Sequence, residues 1–227
     1  MRKSPSYETQ DLREFAEVLR GRRTVNLYLQ TPVPDELVRE AIEAATWAPN
    51  HHVTEPWRFL LPGKATVQKI LDLCQQMVTA KKGEQLGRHK RDSWTEKPGW
   101  LIVTCQRSDD QLREREDYAA CSAAVQNFML YLWKAGIGSK WTTGDITRDD
   151  RFFDIIDVDS SRAFVVGLIW FGYPKLTPAQ SRKELSEVLV ELPLCLTSGP
   201  CKIQRQPNPC YCRRGNAAPN ERRYDHE

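Results

Sequence analysis

Ala119-Ala-Cys-Ser-Ala-Ala-Val-Gln-Asn-Phe-Met-Leu-Tyr-Leu-Trp-Lys-Ala-Gly-Ile-Gly-Ser-Lys-Trp-Thr-Thr-Gly144 joins a long helix to a strand. The helical pattern starts at Asp109 and runs to Ala135, and between Ala119 and Trp133 it is apolar almost all round. Such a helix must be covered on every side, by the core or by a partner subunit. Gly136-Ile-Gly138 then reads as a glycine-bounded entry into an edge strand with exposed backbone donors. It fails as a dinucleotide fingerprint, because it follows a helix and lacks the third glycine.

Strands and helices alternate around this stretch. Leu12, Phe15, Val18 and Leu19 fall at helical spacing between Asp11 and Arg22, and Gly21 is a plausible helix end. Pro34-Asp35-Glu36 opens a second helix with acidic residues at its positive end, and Pro49 stops it. Trp57 to Pro62 reads as a short strand, and Val67 to Lys81 as an amphipathic helix. Lys82 to Pro98 is polar and charged, with two glycines and two tryptophans nearby, and reads as a mobile loop or a loose helix at a pocket mouth. Trp100 to Cys105 and Arg162 to Phe171 are apolar enough to be buried strands. Gln180 to Leu192 reads as a short final helix. The expected organisation is a flexible segment 1–9, a single domain 10–193 and a tail 194–227, whose Pro, Asn, Arg and Cys content implies disorder.

Charge and composition narrow the function. From Leu194 onward lie six of the 33 basic and three of the 30 acidic residues, so the preceding chain carries 27 of each. A formally neutral body argues against nucleic-acid binding, which needs a basic face. No run of about 18 apolar residues is present, so no membrane span is expected. The N-terminus lacks the apolar core of a signal peptide, which makes a cytoplasmic location the default. Of seven cysteines, Cys74, Cys105 and Cys121 lie in apolar segments and read as small buried hydrophobes. Cys195, Cys201, Cys210 and Cys212 lack the paired spacing of a zinc site, and no metal site is expected.

Three clusters carry candidate chemistry. Arg22-Arg23-Thr24 offers two planar cations and a hydroxyl suited to a phosphate; the same cations would also suit a helix C-terminus. Trp47-Ala-Pro-Asn-His-His-Val-Thr-Glu-Pro-Trp57 crowds aromatic planes and imidazoles into one loop, which suits a flat heteroaromatic ligand or a rigid Pro-bounded connection. A metal held by His51 and His52 is a weak reading, since no third ligand follows at zinc-like spacing. Glu55 precedes Pro56 and is expected to be extended. The third cluster is the Gly136–Gly144 stretch itself.

In this order and spacing, the clusters resemble the nitroreductase family. The resemblance runs through Leu19-Arg-Gly-Arg-Arg-Thr24, Pro32-Val-Pro-Asp35, Ala48-Pro-Asn-His-His52, Glu55-Pro-Trp-Arg-Phe59, Gly136 to Gly144 and Val166-Gly-Leu-Ile-Trp-Phe-Gly-Tyr-Pro174, covering roughly residues 10 to 192. It implies an α+β fold in which helices flank a central, mainly antiparallel sheet, in an intertwined homodimer with FMN at the subunit interface. Arg22, Arg23 and Thr24 then match the segment that holds the FMN phosphate and ribityl chain, with Asn26 at a position that is often basic. Trp47, Pro49, Asn50 and His51 match the loop that the second subunit lays against the flavin. Trp141, Thr142 and Thr143 match the segment along the isoalloxazine, and Arg182 and Lys183 match a basic pair closing over the phosphate. Val53 and Glu55 replace amide side chains common in related loops. The activity implied is ping-pong electron transfer from NAD(P)H to small acceptors such as nitroaromatics or quinones, with flavin N5, not a side chain, carrying the chemistry. The sequence leaves the acceptor and the choice between NADH and NADPH open. It also leaves room for a specialised branch, such as one removing a halogen, and for a flavin-binding redox module without high turnover.

Overall fold

Strands β1 (Trp57–Leu60), β2 (Gly99–Gln106), β3 (Gly138–Thr142) and β4 (Ala163–Gly172) form one antiparallel sheet in the order β1-β2-β4-β3. β2 and β4, the two most apolar runs, lie at the centre and pair along their whole length, with a bulge between Val103 and Thr104. Central strands covered on both faces read as continuous apolar runs. The computed structural model describes residues 9–192. The chain divides into two compact units, Met1–Ser181 and Arg182–Glu227.

Strand alternation sends side chains to two cores. On one face Leu101, Val103, Ile169 and Phe171 meet α2 (Asp35–Thr46) and α5 (Gln111–Lys134). On the other Trp100, Ile102, Leu168 and Trp170 meet α3 (Lys64–Lys82), α4 (Glu84–Thr95) and α6 (Asp150–Ile156). Asp110 caps α5, its carboxylate accepting the Leu112 N–H at 2.9 Å and the Arg113 N–H at 3.3 Å. The helix buries a stripe including Cys121, Val125, Phe128 and Leu132. Its other side stays open in a single chain, with Tyr118 and Tyr131 exposed. Complete cover of this helix, expected from its composition, is therefore not achieved within the chain. Beside it, α1 (Gln10–Gly21) buries no residue and exposes Leu12, Phe15 and Leu19. Phe15 and Val18 line an apolar groove with Leu130 and Tyr131.

Three elements differ from the sequence reading. The segment 82–98, read as a loop or loose helix, holds the regular helix α4. It is locked to α3 by an Arg91–Asp72 ion pair at 2.9 Å and by Gly87, where a Cβ would meet Thr79 Oγ1 at 2.0 Å. Helix α6 was not anticipated; Asp149 caps it, accepting the Arg151 N–H at 3.1 Å, and Phe152 and Phe153 bury its short face. The expected helix over 180–192 shrinks to the single turn α7 (Leu185–Val188), whose apolar residues are exposed. Short helices without a packed face are marginal. The first eight residues and the four tail cysteines lie outside the described residues. No helix among the described residues is long and apolar enough to cross a membrane.

Candidate functional site

Arg22 ends α1, its backbone N–H reaching Val18 O at 3.1 Å. Beyond it the chain turns along the free edge of β3: Thr24 bridges Ser139, and the Val25 N–H donates to Ser139 O at 3.0 Å. The contact is close, because a Cβ at Gly138 would meet Val25 Cγ2 at 2.5 Å. The two arginines thus lie half-buried beside an edge strand, with the exposed Thr24 next to them. Arg23 partly fulfils the structural alternative, since its guanidinium donates to the carbonyls of Arg20 and Arg22 at the end of α1.

Along β3, side chains alternate. Lys140 faces the α4 side, opposite Trp170, whereas Trp141 faces the α5 side. The Trp141 indole donates to Val166 O at 3.1 Å and rests on Gly167, where a Cβ would meet Nε1 at 1.9 Å. Its ring is thus committed to packing on β4. Thr142 and the exposed Thr143 end the strand and offer its last backbone groups. Asn26 holds two ammonium groups that sequence reasoning missed: Lys140 Nζ donates to its Oδ1 at 2.7 Å and Lys97 Nζ to its carbonyl oxygen at 2.9 Å. The positive charge absent from position 26 is supplied here by two lysines from other elements. A cleft of about 410 Å³ opens beside them, with Trp94, Thr142, Gly144 and Trp170 in its wall.

Two buried side-chain polar atoms among the described residues have no hydrogen-bond partner: Ser139 Oγ and Trp170 Nε1. Ser139 is the residue bridged to Thr24, and Trp170 lines the cleft. Buried donors of this kind call for an acceptor. Guanidinium, hydroxyl, ammonium and indole together form a donor set that fits a ligand bearing a phosphate and ring carbonyls, as FMN does.

The second group of candidate residues lies elsewhere. Trp47 closes α2 and is 83% exposed; Pro49 and His51 are exposed as well. Asn50 pins the loop, its Nδ2 donating to Thr54 Oγ1 at 3.0 Å while its Oδ1 accepts the Glu55 N–H at 2.7 Å. The Thr54 hydroxyl donates in turn to the buried Asp117 of α5. His52, Val53 and Glu55 are left-handed, with φ of 62°, 50° and 44°. The extended geometry expected at Glu55 is thus overturned: the Asn50 carbonyl oxygen captures its N–H and turns the chain. Side-chain-bearing residues hold such geometry only where the surroundings over-determine it.

The loop and the Arg22 segment do not meet within one chain. The loop leads into β1, at the opposite edge of the sheet from β3, three strand spacings or about 14 Å away. Asp117 anchors it near the start of α5, whereas Gly21 packs on Trp133 sixteen positions later, about 24 Å along the helix. Arg182 and Lys183 are exposed residues of the second unit, just before α7. The body cysteines offer no nucleophile. Burial pushes the Cys74 thiol up to about 11, and its contact with Cys105, then burial, drives Cys121 far above the usual thiol range.

Residues 19–173 match the Nitroreductase family, and the chain belongs to that family. The Bacillus subtilis (strain 168) protein YfhC, provisionally named an NAD(P)H nitroreductase, is 29% identical over 171 residues, covering 74% of this chain and 88% of its own. Iodotyrosine deiodinase of Drosophila melanogaster is 26% identical over 198 residues, 77% of this chain and 68% of its own. A nitroreductase-like family protein from Bacillus cereus superposes with a TM-score of 0.69 at 28% identity, covering 83% of this chain and 98% of that one. A provisionally named nitroreductase from Desulfovibrio desulfuricans, solved in complex with FMN, has the same fold, with a TM-score of 0.64 at 24% identity over 82% of this chain and 99% of that one.

Proposed function

We propose that this protein is an FMN-dependent oxidoreductase that takes electrons from NAD(P)H and passes them to a small acceptor, as a homodimer with FMN at the subunit interface. The observation carrying this reading is the course of Arg22-Arg23-Thr24 along the β3 edge, in line with Thr142, Thr143 and the cleft. FMN, when bound, supplies a two-electron centre that a nicotinamide can reduce and an acceptor can reoxidise in a ping-pong cycle. The protein's part is binding, orientation and electrostatics. Arg22 and Arg23 would offset the phosphate charge with forked donors, and the hydroxyl of Thr24 would add a further donor. Backbone N–H groups at Thr142 and Thr143 are preorganised donors, since a strand end need not reorganise when charge develops. Lys97 and Lys140, fixed on Asn26, add positive charge on the same side.

Trp47, Pro49, Asn50 and His51 would serve the partner's flavin, which suits their exposure and their distance from their own Arg22 segment. A partner laid across α1 and the open side of α5 would cover Phe15, Val18 and Tyr131. Arg182 and Lys183 would close over the phosphate.

An absorbance spectrum of the purified protein, followed by anaerobic addition of NADH and then NADPH, tests the reading. Flavin bands that bleach with either nucleotide and return when a quinone is added are expected. A colourless protein that takes up no added FMN would overturn it. The similarity to iodotyrosine deiodinase supports a second reading, a halogen-removing branch. Iodide release from 3-iodo-L-tyrosine by the reduced protein would favour that branch.

A further inference from the structure

The cleft of about 410 Å³ between α3, α4 and the β3 end is lined by five lysines but only two carboxylates, Glu96 and Asp145. Asp145 is already taken by Lys81 at 2.6 Å. Among the described residues no carboxylate lies within ion-pair distance of Lys82, Lys90, Lys97 or Lys140. The three inner lysines stand over aromatic rings instead. Lys90 lies 5.5 Å from the Trp94 centroid, and Lys97 and Lys140 lie 5.8 and 5.7 Å from that of Trp170. Burial first, and then Lys90, holds Lys140 below the usual lysine range. Burial lowers Lys97 too; Glu96 partly opposes this, while Lys140 and Lys90 add to it. Trp170, 3% exposed, turns an unpartnered indole N–H into the same wall. Like charges gathered around a half-buried cleft work against folding, and every polar group at its inner end donates.

We propose that this cleft is the acceptor's subsite and that it selects planar aromatic acceptors carrying a negative charge, such as a carboxylate or sulfonate. The proposal rests on the flavoreductase reading: Thr142 and Gly144, at the strand end assigned to the flavin, are also part of the cleft wall. Trp94 and Trp170 present apolar ring surface to a flat molecule. Lys90 and Lys140, with Lys97 behind them, meet its charged group, and cation–π contacts keep the ammonium groups in place until it arrives. The neutral net charge of the chain before the tail conceals this patch, because the surplus is local.

The test compares 1,4-naphthoquinone-2-sulfonate with uncharged 2-methyl-1,4-naphthoquinone, in the native holoenzyme and in K90Q, K140Q and the double variant. Native protein should prefer the sulfonate, and rising salt should weaken the preference. In the double variant the ratio of kcat/KM values, sulfonate over neutral, should fall about tenfold or more. An unchanged ratio overturns the proposal. So does an equal fall for both quinones, or a defect confined to reduction by NAD(P)H, which would assign the lysines to the flavin or to the donor. Should the protein hold no flavin and reduce neither quinone, the flavoreductase reading fails by itself. Equilibrium dialysis of the sulfonate alone then decides the subsite: binding that weakens about tenfold in the double variant supports it, and no binding to native protein overturns it.

Discussion

Phe128→Ala is expected to lower stability by about 3–5 kcal/mol, the usual range for truncating a fully buried aromatic ring. Phe128 is 0% exposed and meets Phe171 edge-on, with ring centroids 5.7 Å apart at 77°. Those two rings join the middle of α5 to the middle of the sheet. Phe171 also faces Gly99 at close range, where a Cβ would meet its ring at 2.3 Å, so the surroundings have little freedom to collapse into the hole. Urea unfolding followed by circular dichroism, at one fixed protein concentration, measures the loss. A cost under about 1 kcal/mol would mean that α5 does not rest on β4 as described.

Replacing Arg22 and Arg23 together by glutamine is expected to weaken FMN binding by about a hundred- to a thousandfold, from losing two charge-assisted contacts to one phosphate. Riboflavin, which lacks the phosphate, should bind the native and altered proteins alike. Quenching of flavin fluorescence on titration with apoprotein reads both affinities. Arg23→Gln alone should cost less binding and some stability, because that guanidinium also satisfies carbonyls at the end of α1. Equal losses for FMN and riboflavin would show that the arginines act through the fold and not on a phosphate.

The parts of the fold legible in the sequence were those with an unbroken local signal. β2 and β4 declared themselves as apolar runs, and α5 as a long helical pattern. Helix α4 was ambiguous because only Gly87 and Trp94 are buried, and its reason for being helical lies in α3, not in its own periodicity. Over 180–192 the residues favour a helix, yet no packed face supports more than one turn. In the site, Arg22–Thr24 and the 47–57 loop stood out as compact motifs. The lysine cluster did not, because Lys90, Lys97 and Lys140 come from a helix, a loop and a strand that only tertiary packing unites. The Thr54–Asp117 contact spans 63 positions and has no local signature either. Trp141 was placed in the right strand, but the sequence could not show that its ring packs on the glycine at 167.

β1 and β3 lie at opposite edges of one sheet. If two chains complete each other's flavin sites, this layout makes the site a shared possession, and its genetics should follow. A chain damaged at Arg22 and a chain damaged at Trp47 would each be inactive alone. Mixed pairs would nevertheless contain one wholly undamaged site, so random reassortment restores about a quarter of all sites. Two silent alleles would complement each other.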